Sequence, residues 1–203
     1  MANNRVLIIN MHAKWDFSPG GLNAEAVERT RGKLESLGYE VRTSAVDQDY
    51  SVEEELAKHL WADTVIHQIP VNWMGVPWKA KKYMDEVYTA GIGGELTDGD
   101  GRNSDEPKAN YGTGGTQAGK RYMLSLTFNA PKEAFNDPEQ WFFKGKSVDD
   151  LLLPQHLNFR FFAMEPLETF AFFDVLKNPE IENDFARLDT HLEAQFARVS
   201  EQG

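Results

Sequence analysis

The sequence predicts an α/β protein: a doubly wound, five-stranded parallel sheet with helices on both faces, in one domain over residues 1–203. Three observations point there. Short apolar runs rich in β-branched residues alternate with segments of helical period. The first of these runs, RVLIIN, has no polar alternation, as expected of a strand covered on both faces. At 203 residues and 41% hydrophobic content, the chain has enough apolar material for one sizeable core.

The elements follow in order. Arg5 to Asn10 form the first strand, and Met11 to Gly21 a loop. Leu22, Ala26, Val27, Leu34 and Leu37 then fall near helical spacing, and Gly38 is the stop, because glycine accepts the left-handed backbone that closes a helix. YEVRTSAV (39–46) alternates apolar and polar, the mark of a half-buried or edge strand. Ser51, with Glu54 three residues on, opens the second helix as a capping box, and Glu53 to Glu55 put acidic charge on its solvated first turn. DTVIHQI (63–69) is the third strand. Pro77, with φ fixed near the helical value and no N–H to satisfy, starts a third helix through Ala90. A polar, Gly-rich stretch without period runs from Gly91 to Gly119. KRYMLSLTF (120–128) returns to strand character. NFRFFAMEPLETFAFFDV, carrying Phe159, Phe161, Phe170 and Phe172, supplies a fifth strand broken at Pro166. Ile181, Phe185, Leu188, Leu192 and Phe196 make one stripe of a last helix that continues to Ser200.

Composition narrows the function classes. A net charge of −11 disfavours nucleic acid and anionic membrane surfaces as partners. The absence of cysteine excludes disulfides, thiol catalysis and thiolate metal sites. No apolar run reaches the length of a membrane span and no signal-peptide pattern is visible, so a cytoplasmic protein is the simplest expectation. There is no G-x-G-x-x-G, no P-loop GK[ST] and no G-x-S-x-G. His59 and His67 stand on different elements at poor metal-ligand spacing, and DGDGRNSDE (98–106) lacks the full pattern of a calcium loop.

In doubly wound sheets ligands bind beyond the carboxyl ends of the strands, near the point where strand order reverses. That rule selects the loops after strand one (Met11 to Gly21), strand three (Pro70 to Val76) and strand four (Thr127 to Pro131). In the first, SPGGLN precedes a helix whose open N-terminus offers N–H donors to a phosphate. The plainer alternative is a tight Pro19-Gly20-Gly21 turn capped by Ser18. In the second, PVNWMG places Trp73 beside a stretch of free backbone, which suits a flat ligand with polar ring edges. The plainer alternative packs Trp73 and Trp78 under a loop or into a subunit interface.

QIPVNWMGVPWKAKKYMDEV resembles the flavin-contacting segment of the NAD(P)H:quinone oxidoreductases, and the resemblance is closest to the bacterial branch called modulator of drug activity B. SPGGLN, WAD, DGR, YGTGG, GKRYMLSLTFNAPKEAF and MEPLETF are similar to that branch in the same order, over nearly the whole chain. The resemblance implies a flavodoxin-like fold, FAD as cofactor, NAD(P)H as electron donor, a quinone as acceptor and a homodimer. By position it implies that Ser18, Gly20, Gly21, Leu22 and Asn23 hold the pyrophosphate and ribitol region. Asn72, Trp73, Met74 and Gly75 would line the isoalloxazine. Tyr111 would be a further FAD contact, and Thr127, Phe128, Asn129 and Ala130 would pass beside the ring. Surplus aromatics such as Trp141, Phe142, Phe143, Phe161 and Phe162 would serve the dimer.

Two departures stand out. Pro19 and Gly21 replace the Asn and Gln usual in that branch, and Pro19 removes one backbone donor. His12 matches a histidine of the animal quinone reductases instead. The implied mechanism is ping-pong two-electron reduction, with the protein supplying orientation and electrostatics. It names no proton donor and no metal. Two alternatives share the same residues: an electron carrier or partner-binding protein without turnover, and a nitro- or azo-reductase using the same flavin.

Overall fold

The computed structural model of the protein describes residues 4–196, so the expected end of the last helix, 197–200, lies outside the described residues. The order is β1 (Arg5–Asn10), α1 (Gly21–Ser36), β2 (Glu40–Ala45), α2 (Val52–Trp61), β3 (Thr64–Pro70), α3 (Trp78–Ala90), β4 (Arg121–Thr127), α4 (Val148–Leu151), α5 (Leu153–Phe161), β5 (Glu165–Pro166), β6 (Phe170–Phe172) and α6 (Ile181–Phe196). The strands are parallel, and the sheet runs β2-β1-β3-β4-β5. The fifth position is shared. Glu165 pairs with Arg121 in β5, and Phe170 to Phe172 pair with Ser125 to Thr127 in β6. Proline has no ladder donor, so the break at Pro166 on an edge strand follows from its chemistry.

The central strands are buried on both sides, and their alternate residues feed two cores. Leu7, Ile9, Val65, Ile69, Leu124 and Leu126 face the side covered by α2, α3 and α5. Val6, Ile8, Ile66 and Met123 face α1 and α6, with Leu34, Leu188 and Phe196 closing that side. Each fully buried aliphatic side chain contributes roughly 1.5–3 kcal/mol. Gly38 adopts φ +88 just past α1, and Tyr39 N–H reaches back to Leu34 O at 3.0 Å, closing the helix as expected.

Several expectations need correction. Phe159 and Phe161 lie in α5, not in a strand. That helix starts at Leu153 with Pro154 in its first turn and buries Gln155, His156 and Phe159, with its flanking residues Leu152 and Phe162 buried on either end, so its aromatics serve a helical face. Pro77 is the residue before α3, and Trp78 the first within it. Ser51 accepts the Glu54 amide at 3.3 Å, which is one arm of the capping box. Glu55 is not solvated. It is 3% exposed, and its carboxylate accepts from Tyr83 Oη at 2.8 Å and Lys58 Nζ at 2.6 Å. In α6 the stripe turns inward on Asp184, Leu188, Leu192 and Phe196, leaving Ile181 and Phe185 half-buried.

Candidate functional site

Strand order reverses between β1 and β3: the chain leaves β1 for β2 on one side, then crosses to β3 on the other. The loops after these two strands therefore diverge and leave a crevice at the carboxyl edge. Register sets them level with the next loop. Asn10 lies beside Gln68, and Pro70 beside Thr127. Met11 N–H bonds Gln68 O at 2.9 Å and Val71 N–H bonds Thr127 O at 3.0 Å, so β3 is stitched to both neighbours at the point where the loops depart.

The first loop folds back on itself. Trp15 and Ser18 exchange backbone hydrogen bonds at 3.1 and 3.0 Å, and Phe17 at the bend is exposed. Ser18 does not cap α1. Its hydroxyl lies 3.4 Å from His12 Nε2, and the residue before the helix is Gly20 at φ +88, with no side-chain cap. The first-turn amides of Gly21, Leu22 and Asn23 thus have no side-chain acceptor. A Cβ on Gly20 would stand 2.5 Å from His12 Nδ1, so glycine is required here twice over, by φ and by contact. Burial lowers the His12 pKa below 6.5, partly opposed by the charge of Asp47. Asn23 turns inward. It is 5% exposed, accepts from Gln68 Nε2 at 3.0 Å and donates to Thr127 Oγ1 at 3.3 Å, tying α1 to the tips of β3 and β4.

The loop after β3 is a two-residue turn. Asn72 and Gly75 exchange backbone bonds at 2.9 and 3.0 Å, and the central residues, Trp73 and Met74, have φ 46 and 64. Turns with both central φ positive normally carry Asn and Gly, so two bulky residues here mark stored strain. Trp73 is 98% exposed, so its side chain is not held by packing within the chain, while Met74 is about half covered.

The remaining predicted residues divide in two. Thr127 and Phe128 are buried: Phe128 stacks on Phe173 at 5.7 Å, and its amide donates to Phe172 O at 2.9 Å. Asn129 is exposed and Ala130 half-buried. Tyr111 is exposed on the Gly-rich segment. Its ring lies 5.5 Å from the Arg102 guanidinium, itself gripped by Asp100, and 6.3 Å from the Phe161 ring. That segment is packed, not loose. A Cβ on Gly115 would overlap the backbone of Phe162 and Ala163.

Sequence reasoning missed Asp47 and Lys79, which pair at 2.6 Å between the turn after β2 and the start of α3. The available signal was the position of Asp47 just past a parallel strand. A groove of about 760 Å³ lies elsewhere, lined by Lys132, Ser147, Thr169, Phe170, Arg187 and His191, and shares no residue with the predicted set. Trp141 and Phe142 are exposed, whereas Phe143 stacks on Phe135 at 4.3 Å and Phe162 is buried against Tyr88.

The family model described as flavodoxin-like fold matches residues 4–196. The NADPH:quinone oxidoreductase MdaB of Haemophilus influenzae is 43% identical over 191 residues, covering 94% of this chain and 98% of that protein. A Klebsiella pneumoniae structure, solved as a candidate quinone reductase, superposes with a TM-score of 0.74 at 24% identity, covering 97% of this chain and 85% of the other. General stress protein 14 of Treponema denticola, solved in complex with FMN, gives a TM-score of 0.66 at 20% identity over 94% of this chain and 99% of its own. With the strand order, the switch-point loops and a near-full-length match in agreement, the chain belongs to the flavodoxin-like family and is a homologue of MdaB.

Proposed function

We propose that the protein is an FAD-dependent NAD(P)H:quinone oxidoreductase working by ping-pong kinetics as a homodimer. The observation that carries the reading is the strained turn Asn72–Gly75, which leaves Trp73 98% exposed in the loop after β3, at the same carboxyl edge of the sheet as the uncapped N-terminus of α1. The residues fit a flavin. The amides of Gly21, Leu22 and Asn23 at a helix N-terminus suit its phosphates, with Ser18 and Gly20 shaping the approach. Trp73 would wall a planar ring; Asn72 and Gly75 spend their amides on each other, so within the turn the amides of Trp73 and Met74 would serve its polar edge. A flavin held there would supply two-electron redox chemistry between NAD(P)H and a quinone. The chain's part is to orient the ring and stabilise negative charge on it with fixed N–H dipoles, which need no reorganisation when the charge appears. Tyr111 adds a further contact.

The dimer accounts for an otherwise costly surface. Trp73, Tyr111, Trp141 and Phe142 are 98, 71, 80 and 56% exposed, and a partner subunit would cover such apolar surface. FAD is preferred to FMN on the sequence resemblance to the quinone oxidoreductases.

Purified protein tests the reading. A flavin spectrum, FAD identified on release, bleaching by NADPH or NADH without oxygen, and recolouring by a quinone are expected. Colourless protein that takes up neither FAD nor FMN sinks it, and FMN on release corrects the cofactor alone.

A further inference from the structure

We propose that Asp47 is a positioning residue of the flavin pocket, a strut that fixes the end of β1, where the first loop departs, against the start of α3. The inference rests on the flavin reading above. Asp47 follows β2, which flanks β1 on the side away from β3, so the tip of β2 stands outside the crevice itself. Asp47 nonetheless bears on both walls. Lys79 Nζ donates to it at 2.6 Å, and Lys79 is the second residue of α3, directly after the Asn72–Gly75 turn. The residue before it is tied to the root of the first loop: Val46 N–H donates to Asn10 O, the last residue of β1, at 3.0 Å. In that loop the His12 ring packs on Gly20, the residue before α1. One residue therefore links the two segments that must hold opposite parts of the same cofactor.

The pair is sheltered, with side chains 23% and 34% exposed. Among the described residues it is the ion pair that ties α3 to another element, since Lys81 and Lys82 pair with Asp85 and Glu86 of α3 itself. Donation from Lys79 keeps the carboxyl below its ordinary range, so it is ionised at neutral pH.

A strut and a simple field effect predict opposite outcomes. If the charge alone mattered, removing Asp47 would leave Lys79 free beside the loop proposed to hold phosphate, and flavin would bind more tightly. If geometry matters, binding weakens whichever partner is removed, and a charge-exchanged pair restores it. The test is titration of apoprotein with FAD and with FMN, followed by flavin fluorescence, on wild type, Asp47→Asn, Lys79→Met, Lys79→Arg and the double exchange Asp47→Lys with Lys79→Asp. Melting temperatures are recorded on the same apoproteins.

The strut predicts about tenfold weaker flavin binding in Asp47→Asn and Lys79→Met, near-wild-type binding in Lys79→Arg, and recovery of most of the loss in the exchange. Apo melting temperatures should stay close to wild type, because the pair lies at the surface. Single variants that bind flavin as well as or better than wild type overturn the inference, as does an exchange no better than the singles. Wild-type apoprotein that binds neither flavin fails at the earlier step and removes the flavin reading itself. Lys79→Met touches no buried core position, so it tests the strut even where Asp47→Asn fails to fold.

Discussion

Trp73 and Met74 are the residues at which the chain departs furthest from its own conformational preference. A left-handed backbone costs a non-glycine residue roughly 1–2 kcal/mol, because Cβ crowds the following carbonyl oxygen. Here two such residues are adjacent, at φ 46 and 64, and packing does not repay Trp73. Strain that persists without a stabilising contact in the chain points to a contact made with something else. Replacing Trp73→Asn and Met74→Gly together gives the turn the residues its dihedrals favour. Thermal melts of apoprotein should show a gain of about 1–2 kcal/mol, near 2–4 °C per kcal/mol at this chain length. Flavin titration of the same variant should show weaker binding, since the aromatic wall is gone. A lowered melting temperature would mean that side-chain contacts, not function, hold the turn.

The elements show which parts of the sequence speak for themselves. β1 and β3 are legible as uninterrupted apolar runs rich in β-branched residues, β2 by its alternation, β4 by its apolar content, and α6 because its stripe spans four turns. The loops after β1, β3 and β4 are legible for a topological reason, since parallel sheets bind ligands at one edge. The segment 153–161 is not, because Phe packs as well on a helix as in a strand and Pro154 is as compatible with a loop as with a first turn. The inward turn of Asn23 and Thr127 was hidden as well. Their partners, Gln68 and each other, are remote in sequence. The glycines of YGTGG also needed the structure: composition reads them as flexible, yet Gly115 lies directly against the backbone of Phe162 and Ala163. Gly115→Ala should therefore destabilise the protein by about 2 kcal/mol or more, through forced backbone displacement. Gly75→Ala should leave the melting temperature unchanged, because Gly75 has no positive φ and nothing within 4 Å of a new Cβ. Equal melting temperatures for the two variants would show that the Gly-rich segment yields easily, contrary to its packing.

Acidification probes how the two cores share the sheet. The core under α2 and α3 holds a buried polar chain: Glu55 accepts from Tyr83 Oη at 2.8 Å, Tyr83 Oη lies 3.2 Å from His59 Nε2, and Tyr88 Oη lies 3.3 Å from His67 Nε2. Burial pushes the His59 pKa down to about 4 from 6.5, and pushes His67 well below the same value. A histidine with a depressed folded-state pKa takes up its proton more readily in the unfolded chain. Stability is thus fully present above pH 6.5 and is lost as pH falls toward 4, by about 3 kcal/mol for His59 alone. Net charge acts in the opposite direction. The chain carries −11 at neutral pH and has a sequence pI near 4.9, so acidification toward that point relieves self-repulsion and should stabilise. The depressed carboxylates Asp63 and Glu55 give up their contributions as pH falls through and below their ordinary values of 3.8 and 4.5, so they are largely silent between pH 7 and pH 5. Melting temperature measured from pH 7 to pH 5 therefore separates the effects by sign. A fall assigns control to the buried histidines, and His59→Gln, though less stable at pH 7, should flatten the slope. A rise in wild type over that range would mean that charge relief outweighs them.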